Sequence, residues 1–231
     1  PFSYIISAGN QAVLGFEEYI EVLAEDPAVT AIGLFLEGIR DVPRFSAACL
    51  KALAKGKPIA AMRVGVSEMG ARVAASHTNS LAGQNELYDA LFERLGILAT
   101  KSVPQFLELL KALSVNRFPK GRRLTVFSSS GGDNGLATDC ASAAGFELPP
   151  PAAGQAAAVQ ALLPDYGTAS NPLDFTAGYW GQEQLLTQMF KHMLSGGQYD
   201  QAVLVIDHPR AKNPEDYDSM MAAMVRSLAS A

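Results

Sequence analysis

Short apolar runs recur along this chain, and each is set off from the next by a stretch with helical spacing. Few folds satisfy that alternation. A strand that is apolar throughout must be buried on both faces, and helices placed between such strands cover those faces. The pattern therefore predicts α/β domains built on parallel sheets. In the first half, the runs at 4–8, 31–36, 58–64 and 97–100 predict strands, and 15–25, 43–54, 85–95 and 104–113 predict helices. Gly96 stops the third of these helices, as a glycine past the last helical residue does. The polar and basic stretch SVNRFPKGRR then breaks the rhythm. Residues 114–121 are read as a linker between a domain over 1–113 and a second over 122–231. The second half predicts strands at 124–128 and 202–206 and helices at 135–144, 155–163, 185–194 and 215–228. It ends on a helix after few strands, and the first half opens on a strand, so both domains are expected to be cut at an edge and the second to be truncated.

The chain has 231 residues and a net charge of -5. That is room for two domains of roughly 100–120 residues. No basic stripe marks a nucleic-acid footprint. No apolar run approaches the ~20 residues that span a bilayer, so no membrane association is expected. Cys49 and Cys140 lie far apart with no metal or redox spacing, which points to a reducing, cytoplasmic compartment and to no metal site.

In open parallel sheets, ligands sit at the C-terminal ends of the strands. Three features fall there. Glu37 follows the strand in GLFLEGIRD and stands at the sheet edge; it also reads as a loop acid serving Gly38 or Arg40. His77 lies in AASHTNSLAG, on the loop after the strand at 58–64. A neutral imidazole is a nucleophile near neutral pH, and a carboxylate on its other nitrogen would fix the tautomer. Glu37 is the candidate for that role, while the plainer reading of His77 is a solvated loop histidine. Third, SSSGGDNGLAT carries Gly131, Gly132, Asn134 and Gly135 between a strand and a helix. Backbone N–H groups at such a turn, with the helix dipole, have the form of a phosphate cradle, though the turn has neither the GxGxxG spacing nor the lysine of a Walker loop. His192 on a helix, His208 before Pro209, the Asn171-Pro172-Leu173-Asp174 turn and Trp180 carry less. Ser76 and the serines at 128–130 lack a G-x-S-x-G elbow.

The blocks LFLEGI, RVGVSEMGARVAASHTNSLAG and NELYDALFERLGI, in this order, resemble the NDP-forming acyl-CoA synthetases, the superfamily of succinyl-CoA synthetase. LTVFSSSGGDNGLATDCASAAGFEL followed by SNPLDF is similar to their second ligase domain. The resemblance implies two tandem flavodoxin-like domains with parallel sheets. It implies an acid–thiol ligase of the ADP-forming type that relays a phosphoryl group through a phosphohistidine at His77, held by Glu37. The glycines at 131–135 then match the start of one of two helices facing the phosphohistidine. ATP or ADP with Mg, and CoA, would serve the full enzyme on CoA-binding and ATP-grasp domains or subunits absent from this chain. The chain alone would hold no cofactor tightly and would be inactive by itself. Its other partners would be a small carboxylic acid or acyl phosphate, and a second copy in a homo-oligomer. Two positions depart from the family pattern: Asn79 replaces the more usual glycine, and Asp133 puts a negative charge into the glycine turn. They leave a non-catalytic ligand-sensing or interaction module as the alternative; a flavoprotein follows from the fold alone.

Overall fold

The apolar runs assemble into two separate three-stranded parallel sheets, one in each of two units, Pro1–Phe118 and Pro119–Ala231. The computed structural model describes residues 2–67, 69–70, 85–115, 118–207 and 214–231. Among the described residues, no helix is long and apolar enough to cross a membrane.

The first unit runs α1 (Phe16–Glu25), β1 (Ile32–Leu36), α2 (Val42–Ala54), β2 (Ile59–Arg63), α3 (Asn85–Leu95), β3 (Leu98–Thr100) and α4 (Val103–Ser114). The strands lie in the order β1-β2-β3, all parallel, with Ile32 opposite Ile59 and Leu36 opposite Arg63. Ile32, Leu34 and Leu36 are buried on alternate positions of β1 and pack with Ile20, Phe45 and Phe92 from α1, α2 and α3. The other face is covered by α4 through Phe106 and Leu113. Gly33 makes that approach possible, because a Cβ there would fall 2.7 Å from a Leu110 methyl. Helix starts follow side-chain caps: Asp41 accepts from the Arg44 N–H at 3.0 Å, and Ser102 from the Gln105 N–H at 3.4 Å.

The strand expected over 4–8 does not form. This stretch is β-prone, but among the described residues no neighbouring backbone completes a ladder with it, and Ile5 is 86% exposed. Side chains hold it at both ends instead. Ser3 Oγ donates to Ala28 O, Tyr4 OH to Asp26 Oδ2, and Arg40 to Gln11 O at 2.6 Å.

The second unit runs β4 (Leu124–Ser128), α5 (Gly131–Ala143), α6 (Ala153–Gln160), β5 (Leu173–Asp174), a 3-10 turn (Ala177–Tyr179), α7 (Glu183–Leu194), β6 (Gln201–Leu204) and α8 (Pro214–Ala229). Strand β4 lies between β5 and β6. Its one face meets Phe175, Phe190 and four buried methionines, Met189, Met193, Met221 and Met224. The Phe127 and Phe190 rings stand 4.4 Å apart. Leu124, Val126 and Ala141 make up a second, smaller cluster with α5. The Asn171 side chain completes the sheet beyond the two residues of β5: its Oδ1 accepts from the Val126 N–H at 3.1 Å, and its Nδ2 donates to Leu124 O at 2.8 Å and Pro149 O at 3.0 Å.

The helix expected over 135–144 begins at Gly131, four residues earlier. Ser130 takes the cap position, with Oγ accepting from the Asp133 N–H at 3.3 Å. A good N-cap outweighs the low helix propensity of the glycines behind it, so Gly131, Gly132, Asn134 and Gly135 are helical residues rather than a turn.

Candidate active site

Strand direction brings the C-terminal ends of β1 and β2 side by side. Glu37 follows the last residue of β1 and is exposed; Arg63 ends β2 opposite Leu36. Glu37 makes no hydrogen bond or ion pair among the described residues. His77, its expected partner, lies outside the described residues, as do Ser76, Asn79 and His208. The described edge holds a third element that sequence reasoning missed. The Arg63 guanidinium carbon sits 3.6 Å above the centre of the Tyr88 ring. Arg63 Nη1 donates to Asn85 Oδ1 at 3.3 Å, and Asn85 Nδ2 donates to Val66 O at 3.0 Å. The Tyr88 hydroxyl accepts from the Ile39 N–H at 3.1 Å, tying the ring to the loop that follows Glu37. Arg63 Nε is buried with no partner. An apolar groove of about 490 Å³, walled by Ile39, Val42, Leu87, Tyr88 and Leu91, opens beside this stack.

At the corresponding edge of the second unit, β4 runs out at Ser128. The Ser128 hydroxyl accepts from the Ser130 N–H at 3.0 Å and donates to Ser130 O at 3.2 Å, which shapes the step into α5. The N–H groups of Gly131 and Gly132, first in the helix, have no intrahelical acceptor. Gly131, Gly132 and Gly135 are exposed, whereas Asn134 is buried with its Oδ1 unpartnered. So Gly131 and Gly132 can present donors at the helix start. The positive end of α5 does not stand alone. Asp133 is in its first turn, and Asp174, at the end of β5, brings Oδ2 to 3.9 Å from where a Gly131 Cβ would lie. Asp174 Oδ1 accepts from the Thr176 N–H at 2.8 Å. Thr176 is held at φ 63, and its hydroxyl oxygen is buried without a partner. Ser129, Tyr166, Thr168, Ser170, Asp174 and Thr176 line a cavity of about 360 Å³.

No cluster of three His, Cys, Asp or Glu among the described residues could hold a metal ion. The polar cavity offers hydroxyls and one carboxylate but no lysine or arginine. Arg63 and the first N–H groups of α5 are the oxyanion donors at these two sheet edges. His192 is exposed in the last turn of α7, where its carbonyl accepts from Ser195 Oγ, and Trp180 packs against the core of the second unit. Both have structural surroundings.

Residues 1–113 match the succinyl-CoA ligase like flavodoxin domain. The alpha subunit of acetate–CoA ligase (ADP-forming) II from Pyrococcus furiosus is 35% identical over 186 residues, which cover 80% of this chain and 40% of that protein. A trans-feruloyl-CoA synthase from an unknown prokaryotic organism is 31% identical over 189 residues, covering 82% of this chain and 27% of that one. Among solved structures, dinucleotide forming acetyl-coenzyme A synthetase 1 of Ca. Korarchaeum cryptofilum, in complex with phosphate and ADP, superposes with a TM-score of 0.71 at 26% identity. That match covers 98% of this chain and 60% of the other. The chain spans less than half the length of these curated relatives. Alignments of 186 and 189 residues are longer than the first unit, so the likeness extends into the second. Residues 1–113 thus form a succinyl-CoA ligase like flavodoxin domain, and the chain as a whole is similar, across both units, to subunits and enzymes of the ADP-forming acetate–CoA ligase type.

Proposed function

We propose that this chain is the phosphoryl-relay segment of a cytoplasmic NDP-forming acyl-CoA synthetase, with a ligase-type domain over 1–113, a linker over 114–121 and a second ligase-type domain over 122–231. The observation that carries the reading is Glu37: an exposed carboxylate at the end of a strand buried on one face, committed to no other described group, at the position where family resemblance puts the acid that holds the histidine. In this reading the His77 imidazole attacks the phosphorus of an acyl phosphate. The bond from phosphorus to the acyl oxygen breaks, and the carboxylate leaves with its electron pair. Glu37 accepts the N–H of the other ring nitrogen and offsets the positive charge that forms on the ring. In the second unit, the N–H groups of Gly131 and Gly132 at the start of α5 have no intrahelical acceptor and suit a phosphoryl oxygen. The acid, CoA and the nucleotide that takes the phosphoryl group are held by parts of the enzyme outside this chain.

A second reading, a ligand-sensing or interaction module that has lost the chemistry, is favoured by the crowding of carboxylates at the start of α5. Asp133 and Asp174 both oppose a phosphoryl group there. Labelling separates the two. When the missing domains are supplied in trans with labelled ATP, the chain should take up an acid-labile, base-stable phosphate. His77→Asn should abolish the label and Glu37→Gln should lower it ~10-fold or more, as loss of a residue orienting a histidine does. The chain alone should make no acyl-CoA. Label that survives His77→Asn places the nucleophile elsewhere, and no label on the unaltered chain favours the second reading.

A further inference from the structure

Arg63 is a cation held in place with no anionic partner among the described residues. Its guanidinium is stacked on Tyr88, which fixes the plane of the fork, and Asn85 takes Nη1. Neither partner is charged. The opposite edge, Nε with Nη2, has no acceptor among the described residues, and Nε is buried as well. No carboxylate among the described residues forms an ion pair with it; Glu37, just past the end of the neighbouring strand, makes none. A charged donor withdrawn from water without a partner is costly, so a position that keeps one repays that cost in another state. The Nε–Nη2 edge is the side of the fork that grips two oxygens of one anion, and stacking on an aromatic ring is how arginine is set up for it. The position fits as well, since Arg63 ends the central strand of its sheet, where ligands of open parallel sheets bind.

We propose that Arg63, set by Tyr88 and Asn85, is an oxyanion-binding residue of the first unit, taking two oxygens of a phosphoryl or carboxylate group through Nε and Nη2. The site shares a sheet edge with the relay proposed above but does not require that His77 be phosphorylated. Its test is nuclear magnetic resonance on the 231-residue chain. The Arg63 Nε–H signal is identified by its contacts to the Tyr88 ring protons, and inorganic phosphate is titrated against chloride at constant ionic strength. The signal should move and saturate at millimolar phosphate, a Kd on the order of 1–10 mM. A parallel titration with acetate tells the phosphoryl from the carboxylate source, and saturation with either supports the site. Arg63→Lys keeps the charge but loses the fork, and should weaken binding ~10-fold or more. The His77→Asn chain should respond as the unaltered chain does, which separates this site from the phosphohistidine. An Arg63 signal that neither anion moves, or a response lost in His77→Asn, overturns the assignment. The measurement on the unaltered chain stands even if the variant fails to fold.

Discussion

Asn171 does the work of a missing length of strand, and replacing it should nearly unfold the second unit. Strand β5 is two residues long, so the outer edge of β4 above Phe127 has no backbone partner on that side. One amide fills the gap, accepting from Val126 N–H and donating to the carbonyls of Leu124 and Pro149. Leu124 and Val126 are both buried, so water does not readily replace what is lost. Asn171→Ala leaves the buried Val126 N–H and Leu124 C=O of a central strand unmet at ~1–3 kcal/mol apiece and loses the bond to Pro149 at ~1 kcal/mol, for a total of ~3–7 kcal/mol. That is a large part of the ~5–15 kcal/mol that holds a domain together. Trp180 is the only tryptophan and packs against this core, so its fluorescence in urea reports the second unit alone. With a slope of ~1–1.5 kcal/mol per molar urea, the midpoint should fall by ~2 M or more. Asn171→Asp keeps the acceptor but turns the donor into an oxygen facing two carbonyls, and should be no better than alanine at neutral pH. A fall below ~0.5 M in either variant would show that the amide is dispensable and that the account of β4 is wrong.

Two further outcomes follow from titratable groups. Asp200 accepts from the side chain of Arg123 at 2.7 and 3.0 Å and from its backbone N–H at 3.0 Å, and these bonds lower its carboxyl to about 2. A depressed carboxyl contributes stability above its unfolded value of ~3.9 and loses it as pH falls toward the folded one. The stability difference between the unaltered chain and Asp200→Asn should therefore be flat above pH ~5 and shrink from pH ~4 down to about 2; a difference that grows on acidification contradicts the assignment. Cys49 is buried, and burial pushes its thiol up to about 12, whereas Cys140 is exposed. A thiol reagent at pH 8 should titrate Cys140 fast and Cys49 only on unfolding; two fast equivalents would mean that α2 opens in the native state.

What the sequence shows and hides follows from how far each signal is local. The apolar run at Leu124–Ser128 and the periodic helix at Asn85–Leu95 have the bounds read from the chain, because burial on both faces and a 3.6-residue stripe are written in consecutive residues. The start of α5 was misplaced because glycines signal a turn, and the deciding group, the Ser130 hydroxyl, acts only once the helix geometry exists. The stretch at 4–8 shows the reverse: its residues suit a strand, but a strand needs a neighbour, and pairing is not local. At the site, Glu37 is legible as a charge directly after an apolar run. Arg63 offered a similar signal, a charge closing an apolar run just before Gly65, but its meaning depends on Tyr88, twenty-five positions away by number and in contact only through the fold. Asn171 read as a turn former, and its bridging role requires β4 beside it.

The four buried methionines of the second unit have a chemical consequence. Thioethers fill irregular space well because they bend and polarise, but each becomes a polar sulfoxide when oxidised and then no longer fits an apolar interior. Met189, Met193, Met221 and Met224 all face that interior, whereas Met69 of the first unit stands 68% exposed. Peroxide reaches Met69 directly and the other four only when their core opens. Oxidative damage to the second unit is thus rationed by its own stability, and because one sulfoxide formed during an opening hinders reclosure, the loss runs in one direction, a ratchet that the first unit, with no methionine among its buried core residues, does not share.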